Sequence, residues 1–152
     1  MAKDDKVLFV IAGGGEQNEE LIRLAAKYRI SNNVIHMGWI NGKPWRDTFR
    51  IADVFIMPSV SEPFGLTALE AVGFGAPVIV SYQSGVAEVL KNCYKADFWD
   101  TDLMADQILA LTSSESLNRT MWQNAYQEYN TLSWEDSARA ITQHYHEAKE
   151  LA

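Results

Sequence analysis

One stretch, Val54 to Leu90, constrains the fold of this chain more than any other. It opens with the apolar run Val54-Phe55-Ile56-Met57, whose length and β-branched or aromatic character suit a buried strand. Pro58 ends the run because proline cannot donate to a ladder. A polar loop, Ser59 to Gly65, leads into a helical pattern from Leu66, with Leu66 and Leu69 expected on one face. Gly73, Gly75 and Pro77 stop that helix. Val78-Ile79-Val80 reads as a second buried strand, Tyr82 to Gly85 as a second loop, and Val86 to Leu90 as the start of another helix. Two strands joined by one helix make a right-handed parallel unit, with both loops at the carboxyl edge, where open parallel sheets bind ligands.

Two carboxylates in this stretch carry the chemistry. Glu62 lies in the loop before a helix N-terminus, whose free N–H groups favour anions; it can act as a helix cap or meet a ligand. Glu70 has Leu66, Thr67, Gly73 and Phe74 three and four residues away, so no basic side chain on its own helix can pair with it. A solvated glutamate is one reading; the small and apolar neighbours favour a partly enclosed one. An enclosed carboxylate needs a donor, and sugar hydroxyls are good donors. Gly65 lets backbone approach a ligand with no Cβ in the way.

Glu62-Pro63-Phe64-Gly65-Leu66 followed by Leu69-Glu70-Ala71 resembles the two-glutamate motif of the retaining glycosyltransferases related to glycogen and sucrose synthases, in which seven residues separate the glutamates, as here. The resemblance extends to Met57-Pro58-Ser59, Gly75-Ala76-Pro77-Val78-Ile79 and Ser84-Gly85-Val86-Ala87-Glu88, and back to Phe9 to Gly15 and Val34 to Gly38. It implies a Rossmann-like three-layer α/β/α domain with a mostly parallel sheet, the C-terminal, donor-binding half of a two-domain (GT-B) enzyme. It also implies a nucleotide-diphosphate sugar as donor, transfer with retention of configuration, no metal and no other cofactor. By the same resemblance Glu70 would hold the ribose, Glu62 the donor sugar's hydroxyls, and the Phe64-Gly65-Leu66 backbone would face sugar and diphosphate. Gly15 would lie near the donor cleft, with Met37, Gly38 and Trp39 as candidate contacts for the base. Trp39 could equally be a core or interface aromatic. Glu62 is the candidate catalytic residue, and no covalent nucleophile stands out in the sequence.

Composition bounds these readings. The 152 residues suit one domain, 1–152, with its own core. A net charge of −7 argues against nucleic acid, which would want a basic stripe. Cys93, the single cysteine, leaves no intrachain disulfide and suits a reducing compartment. No apolar run approaches the roughly 20 residues of a membrane span. The expected location is the cytoplasm, free or held peripherally at the inner face of a membrane. Relatives carry an earlier strand and helix in this domain, with an arginine and a lysine that grip the donor's phosphates, and these have no counterpart after the polar lead Met1–Lys6. The chain is therefore expected to be a fragment, inactive alone. The missing N-terminal domain would bind most of a glycan, lipid or small-molecule acceptor.

The strand Val7 to Ala12 runs into Gly13-Gly14-Gly15, which is not spaced as G-x-G-x-x-G and has no acid about 20 residues on. A tight strand-to-helix turn accounts for the triplet. Leu21, Leu24, Ala25 and Tyr28 then line one helical face. Val34 to Met37 is a short strand, followed by a loop, Trp39 to Pro44. His36 reads as a core-edge residue, and His144 and His146, two apart on a helix, make poor metal geometry. Asp100-Thr101-Asp102 has the form of a metal-binding Asp-x-Asp, but Thr101 as the cap of the following helix explains it. Relatives carry a glycine-bearing turn where this chain has Asn92 to Phe98, a departure that leaves the glutamates untouched.

Helices are expected over Thr101–Thr112, Glu115–Tyr129 (Leu117, Met121, Ala125 and Tyr129 inward) and 133–149. At the start of the last, Ser133-Trp134-Glu135-Asp136 resembles a capping box, and core packing of Trp134, Ala138, Ile141 and Tyr145 is the simpler reading of its apolar face. The family resemblance implies instead a last helix reaching toward the other domain, with part of that face bare. Two other functions fit the same sequence: a non-catalytic nucleotide-binding or interaction module, and a sugar-nucleotide epimerase of similar architecture.

Overall fold

The computed structural model describes residues 7–150, and the polar lead Met1–Lys6 lies outside them. Two compact units divide the chain, Met1–Asp47 and Thr48–Ala152.

In the first unit β1 (Phe9–Ala12) and β2 (Val34–Gly38) pair in parallel, Phe9 with Val34 through Ile11 with His36, and a register shift then sets Ala12 against Gly38. Between them run α1 (Asn18–Lys27) and a 3-10 turn, Ser31–Asn33. Asn33 Nδ2 donates to the Val7 carbonyl at 2.8 Å and ties the turn to the start of β1. Of the expected inner face of α1, Ala25 is buried and Leu21 and Leu24 half-buried, but Tyr28 is exposed because the helix ends at Lys27 and Tyr28 caps it. His36 is exposed, not a core-edge residue. The helix α2 (Gly42–Arg50) starts inside the stretch read as a loop, with Pro44 in its first turn, where the missing N–H costs nothing.

In the second unit β3 (Phe55–Met57), β4 (Val78–Ser81) and β5 (Tyr94–Ala96) form a parallel sheet in the order β3-β4-β5, with Phe55 opposite Val78 and Ile79 opposite Tyr94. The central β4 is fully buried; β3, on the outside of this sheet, is only partly so, which softens the expectation of a buried first strand. The connection α3 (Leu66–Phe74) passes through Gly73 and ends on Gly75, whose φ of 113° is left-handed and free for glycine alone. It buries Ala68, Leu69, Ala71 and Val72. Leu66 is half exposed and does not share the buried face of Leu69, contrary to the expected pairing. The short α4 (Val86–Val89) is one turn long.

Helices α5 (Thr101–Ser113), α6 (Glu115–Tyr129) and α7 (Trp134–Glu150) complete the unit. Leu117, Met121, Ala125 and Tyr129 turn inward as their spacing predicts. On α6 the Trp122 indole donates to the Val72 carbonyl at 2.9 Å, and Gly73 leaves room for the Tyr129 ring, which a Cβ would meet at 3.2 Å. Asp100, not Thr101, caps α5: its Oδ1 accepts the Leu103 N–H at 3.0 Å. The glycine-free turn before β5 is held from a distance, since the Glu128 carboxylate accepts the N–H groups of Lys91 and Asn92 and the Asn92 amide at 2.7 Å.

Ser133 caps the start of α7, with Asp136 N–H donating to Ser133 Oγ at 3.1 Å; the Asp136 carboxylate accepts that hydroxyl at 2.7 Å and not the Ser133 backbone N–H that would complete a capping box. The core packing expected of the helix's apolar face is not found: Trp134 and Tyr145 are 75% and 74% exposed, and Ile141 is exposed too. Helical periodicity locates an apolar stripe but does not say whether a partner lies against it.

Candidate functional site

All three strands of the second unit run the same way, so the loops after β3, β4 and β5 open at one sheet edge. The loop after β3 carries Glu62, and it lies on the loop after β4 almost as an extra strand. Glu62 N–H donates to the Gln83 carbonyl at 3.2 Å, the Glu62 carbonyl accepts Gly85 N–H at 3.0 Å, and the Phe64 carbonyl accepts Val86 N–H at 2.5 Å. Glu62 and Ser84 thus form an isolated parallel bridge. Its backbone is fixed on both sides, and its side chain is half exposed.

The carboxylate does not cap α3. Glu62 Oε1 accepts only the Phe64 N–H, at a long 3.4 Å, and the N-cap position belongs to Gly65, with no side chain bonded to the helix's first N–H groups. Of the two readings of Glu62, capping falls. The helix start is left with unfilled donors beside a glutamate, an arrangement that suits a ligand carrying both anionic oxygens and hydroxyls. Gly65 has φ +100°, and a Cβ there would come within 2.6 Å of Met57 Cε and 3.2 Å of Val86 Cγ1. Leu66 and Phe64 are both exposed at this end.

Glu70 lies one turn further along α3, on the face that Leu66 shares, and it is exposed. The partly enclosed carboxylate expected from its neighbours is not what the helix presents. Ala68, Leu69, Ala71 and Val72 take the inward positions, and the small and apolar residues around Glu70 in sequence lie on the other side of the helix. No hydrogen bond joins Glu70 to the described residues, so its acceptor capacity is open.

In the first unit, Gly13 N–H donates to the Gly38 carbonyl at 2.8 Å, bringing the carboxyl ends of β1 and β2 together. Gly13 has φ +131°, a conformation that favours glycine, while Gly14 and Gly15 need no positive φ and the turn into α1 falls at residues 16–17; outside the triplet, Gly38 has φ +63°. Gly15 is exposed, as is Met37. Gly15, Met37 and Gly38 therefore share this unit's own sheet edge. Trp39 is 83% exposed and is not a core aromatic.

Three features escaped sequence reasoning. Gly85 has an ordinary φ of −59°, yet a Cβ on it would lie 2.2 Å from the Pro63 carbonyl oxygen. Ser81 and Ser84, both buried, bond to each other, and Ser81 Oγ also donates to the Ser59 carbonyl. Gln83 joins this edge to β5, its amide donating to Asp97 Oδ1 at 2.9 Å while its own oxygen accepts Phe98 N–H.

Cys93 is no nucleophile. Burial, with Glu128 adding to it and Lys95 and Lys91 opposing, pushes its thiol up to about 11 from an ordinary 9.0. The folded state then holds the proton more tightly than the unfolded one, so this group favours folding below pH 9 and the benefit fades as pH rises toward 11. At pH 8 the thiolate fraction is about a hundredfold below that of a free thiol, and maleimide should label native Cys93 slower than the denatured chain by about that factor. Equal rates would contradict it.

Among the described residues no three His, Cys, Asp or Glu side chains gather as metal ligands, and no helix is long and apolar enough to cross a membrane. His144 instead lies 3.4 Å from Glu147 Oε2 on exposed α7.

Residues 1–128 match the family model described as glycosyl transferases group 1. An uncharacterized glycosyltransferase of Methanocaldococcus jannaschii is 31% identical over 147 residues, covering 93% of this chain and 37% of its own length. Among solved structures, sucrose-phosphate synthase from Thermosynechococcus elongatus superposes with a TM-score of 0.78 at 24% identity, over 94% of this chain and 39% of that one. HepE of Anabaena, solved in complex with UDP, gives a TM-score of 0.81 at 19% identity over 95% of this chain and 42% of that one; with UDP-glucose it gives 0.75 at 21%, over 83% and 36%. The last two proteins share the Rossmann-like α/β fold of GT-B enzymes; the chain spans well under half the length of every relative named here.

Proposed function

Because this chain belongs to the group 1 glycosyl transferases, we propose that it is the donor-binding domain of a retaining, metal-independent glycosyltransferase that takes its sugar from a nucleoside diphosphate. The observation that carries this reading is the uncapped start of α3 beside a backbone-fixed Glu62, with Glu70 unpartnered one turn on. Anionic oxygens suit the free N–H groups, and hydroxyls suit the two carboxylates. Glu70 takes the ribose hydroxyls and Glu62 those of the sugar, while the Phe64–Leu66 backbone faces sugar and diphosphate. Charge developing on the departing diphosphate is stabilised by donors already aimed at it. UDP is the first nucleotide to try, since it is the ligand of a protein sharing this fold.

The acceptor is bound mainly by a domain outside these residues, so the 152-residue chain is expected to bind donor weakly and transfer nothing. Glu70→Gln tests the core assignment by calorimetric titration with UDP-glucose. A hydrogen bond to a charged group is worth about 1.5–3 kcal/mol, and an exposed carboxylate lies at the low end, so affinity should fall about tenfold. An unchanged dissociation constant would remove the ribose from Glu70.

A further inference from the structure

We propose that Ser81 and Ser84 are positioning residues for Glu62, acting through a one-way hydrogen-bond relay that clamps the loop after β3 onto the loop after β4. That Glu62's placement matters to a ligand rests on the donor reading above; the clamp itself does not.

Ser81 Oγ donates to the Ser59 carbonyl at 2.7 Å and lies 2.8 Å from Ser84 Oγ. A hydroxyl has one proton, and a carbonyl can only accept. Ser81 therefore has none left for Ser84, and Ser84 must be the donor to Ser81. The relay runs Ser84 to Ser81 to Ser59, and each bond polarises the next. Both side chains are out of water, at 0% and 2% exposure, so no solvent molecule can replace a lost partner without rearrangement.

The relay and the backbone pairing act at opposite ends of one loop. Ser59 is at its root, just past Pro58, and Ser81 is the last residue of β4. At the tip, Glu62, Gly85 and Val86 supply the three N–H groups that lace the two loops together, and Ser84 belongs to both devices because its backbone is the bridge partner of Glu62. Fixing root and tip together sets where the Glu62 carboxylate stands relative to the start of α3. Without the Ser81 hydroxyl the Ser59 carbonyl and the Ser84 hydroxyl lose their partners and the root can open, while β4 keeps its ladders to β3 and β5.

Amide hydrogen exchange on the chain and its Ser81→Ala and Ser84→Ala variants tests this, with UDP and UDP-glucose as probes. Ser81→Ala should speed exchange at Glu62, Gly85 and Val86 by at least about tenfold, with Ile79 and Val80 unchanged. Affinity for UDP should hold while the advantage of UDP-glucose over UDP disappears. Ser84→Ala should act the same way more weakly, since Ser81 keeps its bond to Ser59, and it decides the matter if Ser81→Ala does not fold. Equal acceleration in β4 would reduce the serines to core packing and overturn the proposal, as would unaltered loop exchange in both variants. Loosened loops in a chain that never distinguished UDP-glucose from UDP would uphold the clamp and remove the donor reading instead.

Discussion

Gly85→Ala is expected to lower the melting temperature by about 6–12 °C and to abolish preference for a sugar-bearing nucleotide. The cause is contact, not backbone conformation, because φ at Gly85 is −59°. The new Cβ would stand 2.2 Å from the Pro63 carbonyl oxygen and 3.0 Å from Phe64 Cα, both backbone atoms that no rotamer change can move away. Reaching ordinary contact needs a retreat of about 1 Å, since even close carbon–oxygen contacts fall near 3.3 Å. That retreat pulls apart the Gly85–Glu62 and Val86–Phe64 hydrogen bonds. Overpacking costs about 1–3 kcal/mol and each lost bond about 0.5–1.5. Together these span about 2–6 kcal/mol; a value of about 3, in the lower half because the two losses share one displacement, shifts melting in a chain of this size by about 2–4 °C per kcal/mol. Gly14→Ala is the control: its nearest atom is 4.0 Å away, and its effect should stay within about 0.5 kcal/mol. Equal melting temperatures for the two variants would mean that the Glu62 loop is not seated as described.

Glu62→Ala should separate stability from chemistry. Had Glu62 capped α3, its removal would cost about 0.5–2 kcal/mol of stability. Its single contact, 3.4 Å from Phe64 N, predicts instead a change within about 0.5 kcal/mol. If Glu62 meets the donor sugar as proposed, then in a full-length group 1 glycosyltransferase carrying this domain transfer should fall by a factor of about ten to a hundred or more, the loss of one charged hydrogen bond. Affinity for UDP, which carries ribose but no transferable sugar for Glu62 to meet, should be nearly unchanged. Parallel loss of nucleotide affinity and turnover would place Glu62 on the nucleotide.

What could be read from sequence was local. Val54 to Leu90 showed its strand–loop–helix–strand order because each piece is specified by neighbours in the chain: an apolar run, Pro58, then Gly75 at a left-handed position. Glu70 was misjudged because composition three and four residues away does not say which side of a helix faces the sheet. The end of α7 was misjudged for the same reason: Trp134, Ile141 and Tyr145 make a stripe, and nothing in the described residues covers it. Gly85 and Ser81 were invisible because their partners, Pro63 and Ser59, lie about 22 residues away in the chain, and only the parallel pairing of β3 with β4 brings them together. Asp100 and Thr101 were both acceptable caps by residue type, and the cap position depends on the path of the chain leaving β5.

Chemical-shift mapping of the chain with UDP and then UDP-glucose tests the central claim most directly. The account predicts that both ligands shift the amides of Gly65, Leu66 and Thr67 at the start of α3 and that of Glu70, and that only UDP-glucose also shifts those of Glu62 and Phe64. Weak binding does not spoil the measurement, since millimolar ligand corresponds to only about 4 kcal/mol. Shifts confined to other surfaces, or identical responses of Glu62 and Phe64 to both ligands, would contradict it.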